Sequence, residues 1–459
     1  MDSELNSWVG ARVRRCGWVS ATGELGTRPT GRKAGLRTAL VLAVGLAWVG
    51  ASGAGATPAS YLDFAIYGAQ GVSMERHPVS GAPVGSGGDI LVNTSDVPGV
   101  YSGGNVEVNG SAAEVGGDIV ATGTVDVTPN HDIMGSIHSS APPGTRPGAE
   151  VVGPATSSIS GDVVSLGDVN LDNVLALGGS VYSEGDLQAS LNGTVTQDAR
   201  ANGSVYLGWN VHVSGDVVYG TTLNQEPSAL VSGGTSQGST AISPETFSAI
   251  DLPTPSVFTG GAGVVDEAGT SLADPLAPGT YGTLEADDIF LTGGTYVFTA
   301  IDIAKNADLY LDLSGDPIEI FVEGDVFFGG GNRSLEVMVS DDGIDEEDMD
   351  DADFSLAGNV WLETHGTFRA NRLSEWFGSI YAPYEGIDGP KLEVIGALYA
   401  GGHVDGDPGE VGIDLQSSSG FYNHVFVAPN FVPIPEPGVA LLLTLGLAGS
   451  GIVRRRASG

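Results

Sequence analysis

The side chains of this chain that could do chemistry are almost all carboxylates. Asp341 to Asp353 gathers nine acids in 13 residues, a charge density that attracts divalent cations such as calcium. An EF-hand loop, however, needs alternating Asp or Asn ligands, a glycine at its sixth place and a glutamate at its twelfth. This run has neither that glycine nor that register, so it reads as a solvated acidic loop with weak calcium affinity. Carboxylate pairs suited to glycoside hydrolysis occur all along so acidic a sequence, and their presence selects no site. The one local basic cluster is Arg369, Asn371 and Arg372, too small for a lyase that must hold an acidic polysaccharide. His131 and His138 flank a turn with Asp132; the other five histidines are scattered, with no HxxxH or HExxH pair to hold zinc. No catalytic or metal-ligating residue is assigned, no cofactor is expected beyond that weak calcium binding, and the chain reads as a non-enzyme.

What must position these groups is unusual in composition. The chain has 459 residues, 41% apolar and 16% charged, which is apolar enough to fold. Its 71 glycines against 7% aromatics point to short strands joined by many tight turns. The net charge is −38, and outside residues 1–56 and 454–459 there are 53 acids against eight bases, an excess of 45. Such a surface repels nucleic acid and anionic lipid. The only cysteine, Cys16, lies near the N-terminus, so the body has no thiol for a disulfide.

The two ends carry address-like patterns. Arg32, Lys33 and Arg37 precede the apolar run Ala39 to Val49, and Ala54-Gly55-Ala56 follows with the small residues a signal peptidase requires. Cleavage is expected after Ala56, with residues 1–31 an extended leader or a misassigned start. At the other end Val432-Pro433-Ile434-Pro435-Glu436-Pro437 leads into the apolar stretch Gly438 to Val453 and then Arg454-Arg455-Arg456. Sixteen apolar residues span about 24 Å as a helix, and arginine snorkelling covers the shortfall against the bilayer core. Basic residues before the first apolar segment and after the last place both extremities in the cytoplasm and the acidic middle outside.

Between the ends, a phrase of glycine, small polar residue and apolar β-former recurs. It appears as Gly88-Asp89-Ile90, Gly117-Asp118-Ile119, Gly161-Asp162-Val163, Gly167-Asp168-Val169, Gly185-Asp186-Leu187 and Gly215-Asp216-Val217, among others. Its apolar members recur at multiples of six, the period of a solenoid that turns one inward residue per short strand and a glycine at each corner. The 26-residue step from Ile137 to Val163 breaks the period and predicts an insertion around Ala141-Pro142-Pro143-Gly144. Residues 57–238 form this first glycine-rich half, and 239–257 read as a Ser/Thr/Pro-rich linker. Residues 258–431 form a second half with longer alternating strands such as Leu309-Tyr310-Leu311-Asp312-Leu313, carrying the acidic loop 341–353. There Gly378-Ser379-Ile380-Tyr381 and Gly396-Ala397-Leu398-Tyr399 echo one another 18 residues apart. The fold expected is all-β, a single-stranded right-handed β-helix flanked by an N-terminal signal helix and a C-terminal transmembrane helix in 432–459.

The ordered tail of Pro435-Glu436-Pro437, apolar helix and Arg454 to Arg456 resembles the PEP-CTERM sorting signal of Gram-negative bacteria. The resemblance covers about the last 27 residues and implies processing by an exosortase-type protease after a transient stay in the inner membrane. It implies a destination at the cell surface or in the extracellular matrix, with exopolysaccharide as a partner. The second half also looks like secreted glycine-rich modules that carry a GTIYAP…GALYG phrase. Asp168-Val169-Asn170-Leu171-Asp172-Asn173 is similar to the start of a dockerin calcium loop, but its sixth residue is Asn173, its twelfth is Gly179, and no second copy follows. The expected function is a structural or adhesive surface protein. The alternatives are a β-helix polysaccharide lyase or hydrolase, and a calcium-dependent adhesin.

Overall fold

A β-solenoid must join each coil to the next at its corners, and here the glycine phrase does so. In the computed structural model, Asp186 Oδ1 accepts the Ser204 N–H at 2.6 Å, and Asp168 Oδ1 accepts that of Asp186 at 2.8 Å. At a second corner Asp118 receives Ser136, Asp162 receives Ser180, and Asp198 receives Asp216, at 2.7 to 2.8 Å. Each polar member of the phrase thus accepts the backbone of its counterpart one coil on. The preceding glycine is required for the same reason, because a Cβ on Gly185, Gly203 or Gly215 would collide with the aspartate oxygen reaching up from the coil before.

The structure describes residues 58–426 apart from 111–113, 129–130, 143–146, 153–156, 266–273, 287, 304–306, 330–334, 342–346, 350–351, 371–373, 405–410 and 417–424. The described chain is all-β, built of parallel strands, with two short 3-10 turns at Tyr61–Asp63 and Phe354–Asn359. A regular coil has three strands, as in Val163–Ser165, Val169–Asp172 and Ala176–Leu177. Successive coils are 18 residues apart where the repeat is regular: Val163 pairs with Val181, Val181 with Ala199, and Ala199 with Val217. Hexads are therefore thirds of a coil. The inward residues Val163, Val169, Leu177 and Val181 are all buried. Ile137 pairs with Val163 directly, so the 26-residue step is an insertion into one coil. The coil between Ile320 and Leu362 is similarly enlarged, and it carries the acidic run.

Two sheets of 16 strands run through the whole stack, and the third face is made of one seven-stranded and one eight-stranded sheet. Chain order along the stack is not sequence order. The first half starts at mid-stack with Ile66–Gly68 and winds out to Thr235–Gln237 at one tip. The second half begins at the opposite tip with Val264–Val265 and winds back to the middle. There Ile66 pairs with Leu398, Val72 with Ile413 and Val79 with Val425, so the last described coil stacks beneath the first. The two halves share one hydrophobic core, lined with Val, Ile and Ala in the first half and with Tyr296, Phe298, Phe328, Phe368 and Trp376 in the second.

Gly203→Ala should lower the midpoint of urea unfolding by an amount equivalent to about 1–3 kcal/mol, the usual cost of overpacking. Gly315→Ala, where nothing lies within 4 Å of the new methyl, should leave it unchanged.

Candidate functional site

Sequence spacing pointed to corners and cores; the faces of the rod hold the groups that can act. The first 16-stranded sheet turns an apolar and aromatic column outward. Tyr67, Gly85, Tyr101, Val120 and His138 follow one another in register, and Tyr399 and Tyr381 continue the column below. Residues 239–261 cover this column as an extended strap that runs from one tip to the other. Asn202 pairs with Thr240 through both amide atoms, at 2.8 and 2.9 Å. His138 Nδ1 accepts Glu245 N–H, and Thr122 donates to the Phe247 carbonyl. Tyr67 hydroxyl accepts Ile250 N–H at 2.7 Å and donates to the same residue's carbonyl at 3.0 Å. Past the middle, Tyr381 donates to Pro253, and buried Glu363 accepts both Ser256 N–H at 2.7 Å and its hydroxyl at 2.8 Å. Phe247 packs on Phe64 and Tyr101, and Phe258 on Phe321 and His365.

The Ser256, Glu363 and His365 group has the residue types of a hydrolytic triad in the wrong order. Glu363 lies between the other two, at 2.8 Å from Ser256 Oγ and 3.2 Å from His365 Nε2, so the hydroxyl bonds the acid and not the base. It is a clasp on the strap. Burial keeps the His138 imidazole below its usual value despite Glu245, Asp118 and Asp162, which favours the neutral ring that can accept the strap amide.

The second 16-stranded sheet turns a mostly polar column outward, part-exposed over much of its length and buried at Ser73. Its outward column includes Glu107, Asp126 and Glu150 in direct register on neighbouring strands, about 4.8 Å apart. Burial raises the Asp126 carboxyl, and the charges of Glu150 and Glu107 raise it further. Lower on the same face Arg369, Asp388 and Asp414 are also in register. Arg369 Nε lies 3.9 Å from Asp388, which burial and then Asp414 hold above the usual carboxylate range, with Arg369 opposing. A groove of about 420 Å³ lined by Asp325, Phe327, Gly366, Thr367, Arg369 and Glu385 opens beside them. It is the described place where a cation, a carboxyl of raised affinity for protons and a concave surface meet.

Asp168 is spent on the corner bond to Asp186, and Val169 and Leu171 are core residues, so the dockerin-like segment is a strand of the second 16-stranded sheet. Within the acidic run, Glu347–Asp348 forms a short antiparallel strand on Met338 and Val339, and Met349 is buried. That part of the run is pinned to the third face, because one apolar side chain among the acids supplies an anchor. Asn371 and Arg372 lie outside the described residues. So do Ala54 and Ala56 of the signal, Pro435, Glu436 and Pro437, and Arg454, Arg455 and Arg456. Among the described residues no group of three His, Cys, Asp or Glu is arranged to hold a metal ion, and no helix is long and apolar enough to cross a membrane. Compared with known proteins, the chain matches no family model, no curated protein and no solved structure.

The strap contacts were missed by sequence reasoning, although a signal exists. An inward Ile or Leu followed by tyrosine occurs at Ile66-Tyr67, Ile380-Tyr381 and Leu398-Tyr399, and in each the tyrosine faces the strap side.

Tyr67→Phe removes both bonds to Ile250 and should speed hydrogen exchange at the Ile250 amide about tenfold, the equivalent of about 1.4 kcal/mol. The Asp126 carboxyl binds its proton more tightly folded than unfolded, so stability is gained as pH falls through its folded value and the repulsion is fully present above it. Asp126→Asn should therefore stabilise the protein at neutral pH by up to about 1 kcal/mol and flatten the rise in stability on acidification, as read from denaturation midpoints across pH.

Proposed function

We propose that this chain is an exported structural or adhesive component of the cell surface or exopolysaccharide matrix. The observation that carries the reading is the pairing of a basic, apolar, small-residue N-terminus with a C-terminal Pro-Glu-Pro, apolar and arginine tail around an acidic rod. In this scheme signal peptidase acts after Ala56 and the C-terminal helix holds the chain in the inner membrane. An exosortase-type protease then cuts near Pro435 to Pro437. The winding is taken as right-handed, the hand that parallel crossovers within one sheet adopt. The long acidic sheet supports a role in the hydrated matrix, because its charge retains water and counter-ions.

One rival is favoured by a specific feature. The groove beside Arg369 and Asp388 has the residue types of a carbohydrate-active site, and turnover of an acidic or neutral polysaccharide that is lost in Arg369→Ala would establish it.

Mass spectrometry of protein recovered from the cell surface should find a new N-terminus at Thr57 and a C-terminus near Pro437. An intact Arg454 to Arg456 tail on that material would overturn the sorting scheme.

A further inference from the structure

The two tips of the rod have complementary ends. At one tip the last coil is Leu223–Gln225, Leu230–Val231 and Thr235–Gln237, each the terminal strand of its sheet. At the other tip Val264–Val265 and Gly279–Thr280 end the two long sheets. Because the second half precedes the first in space and both wind the same way, every strand at both tips is parallel to the rest of its sheet. A second copy displaced along the axis therefore continues the sheets without reversing a strand.

The backbone at these edges points outward into that space. Gly234 and Gly238 bond back to Val217 and Tyr219, so Thr235 and Gln237 between them turn their amides and carbonyls away from their own coil. At the opposite tip the carbonyls of Gly263 and Val265 accept from Thr283 and Glu285, so Val264 turns away; Tyr281 bonds to Val297, so the Thr280 amide turns away as well, while its carbonyl lies beside Gly261 of the strap. Among the described residues no strand pairs with these edges.

Charge is thin at one tip. The body is strongly acidic, yet residues 217–244 contain a single charged side chain, Glu226; at the other tip the terminal strands themselves carry none, while Asp266, Glu267 and Asp274 lie between them in the chain. The terminal strands are two or three residues long and contain no lysine and no proline, two of the residues by which exposed sheet edges are blocked. Core-lining Leu223, Val231 and Val265 are only half-buried where the stack stops. The Thr235–Gln237 tip therefore adds little charge repulsion of its own toward a second copy.

We propose that the tips are an interface, and that copies of this chain stack head to tail into filaments by joining the Thr235–Gln237 end of one to the Gly279–Thr280 end of the next. The contact is heterologous and does not close on itself, so it propagates. It goes beyond the matrix role and does not rest on where the protein is sorted.

The test uses the full chain in mild detergent, which keeps the apolar terminal segments from associating. Sedimentation velocity and negative-stain microscopy should show unbranched particles one rod wide that lengthen with protein concentration. Thr235→Pro and Thr280→Pro each remove one outward amide, with no bond lost among the described residues and with a glycine preceding. Each variant alone should reduce the assembled fraction at least tenfold. Mixed in equal amounts they should give dimers and stop there, since one intact tip of each kind remains. Thr235→Lys and Thr280→Lys give the same comparison through charge if either proline variant fails to match wild-type circular dichroism. A wild-type chain that stays monomeric at all concentrations, variants that assemble as wild type does, or a mixture with no dimer would overturn the proposal.

Discussion

At two of the corners of a regular coil a carboxylate, amide or hydroxyl accepts a backbone N–H from the next coil, and a glycine makes room for it. Asp168, Asp186 and Ser204 form one such chain of acceptors and donors; Asp118, Ser136 and Asp162 begin another. A corner is where the strand ladder lapses and backbone groups would otherwise be left to water, so these bonds keep the hydrogen-bond network continuous between faces. With corners fixed at six-residue intervals, only one residue type fits each side of the strand. The Val, Ile and Leu that follow the polar residue turn inward, and the alternation of core and surface follows without further instruction. The acidity of the protein is partly a by-product, since several of its aspartates are corner acceptors.

The same rule explains what could be read from the sequence. The hexad, the insertion after Ile137 and the all-β class all follow from local spacing, and each has a direct counterpart in the register of the strands. Chain order in the stack left no such trace. Nothing in Ile66 or Leu398 by itself says that they are partners, because any inward aliphatic at that place in a coil would pair as well. The strap was hidden for a related reason. A segment with proline, serine and threonine and no alternation is what a linker looks like, and its binding partners, Tyr67, His138, Tyr381 and Glu363, are separated from it by more than 100 residues.

The candidate groove was half legible. Arg369 stands out as a rare base in an acidic chain, but its partner Asp388 is brought beside it by the coil repeat, which no motif encodes. Conversely, the dockerin-like segment was a chance match to spacing. A corner aspartate followed by alternating outward polar residues reproduces the D-x-N-x-D order whenever a strand of this kind faces solvent.

The inverted order of the halves bears on how such a chain comes to be folded. A polypeptide that emerges N-terminus first, from a ribosome or a translocation channel, can wind Ile66 to Gln237 at once by adding each coil to the one before. The lower edge of its first coil then waits, unprotected, until residues 392–426 have been delivered more than 300 positions later. Vectorial synthesis therefore yields a half-rod whose seam is sealed only by the end of the chain, so a molecule cut short anywhere in its second half would carry an adhesive wound at its waist.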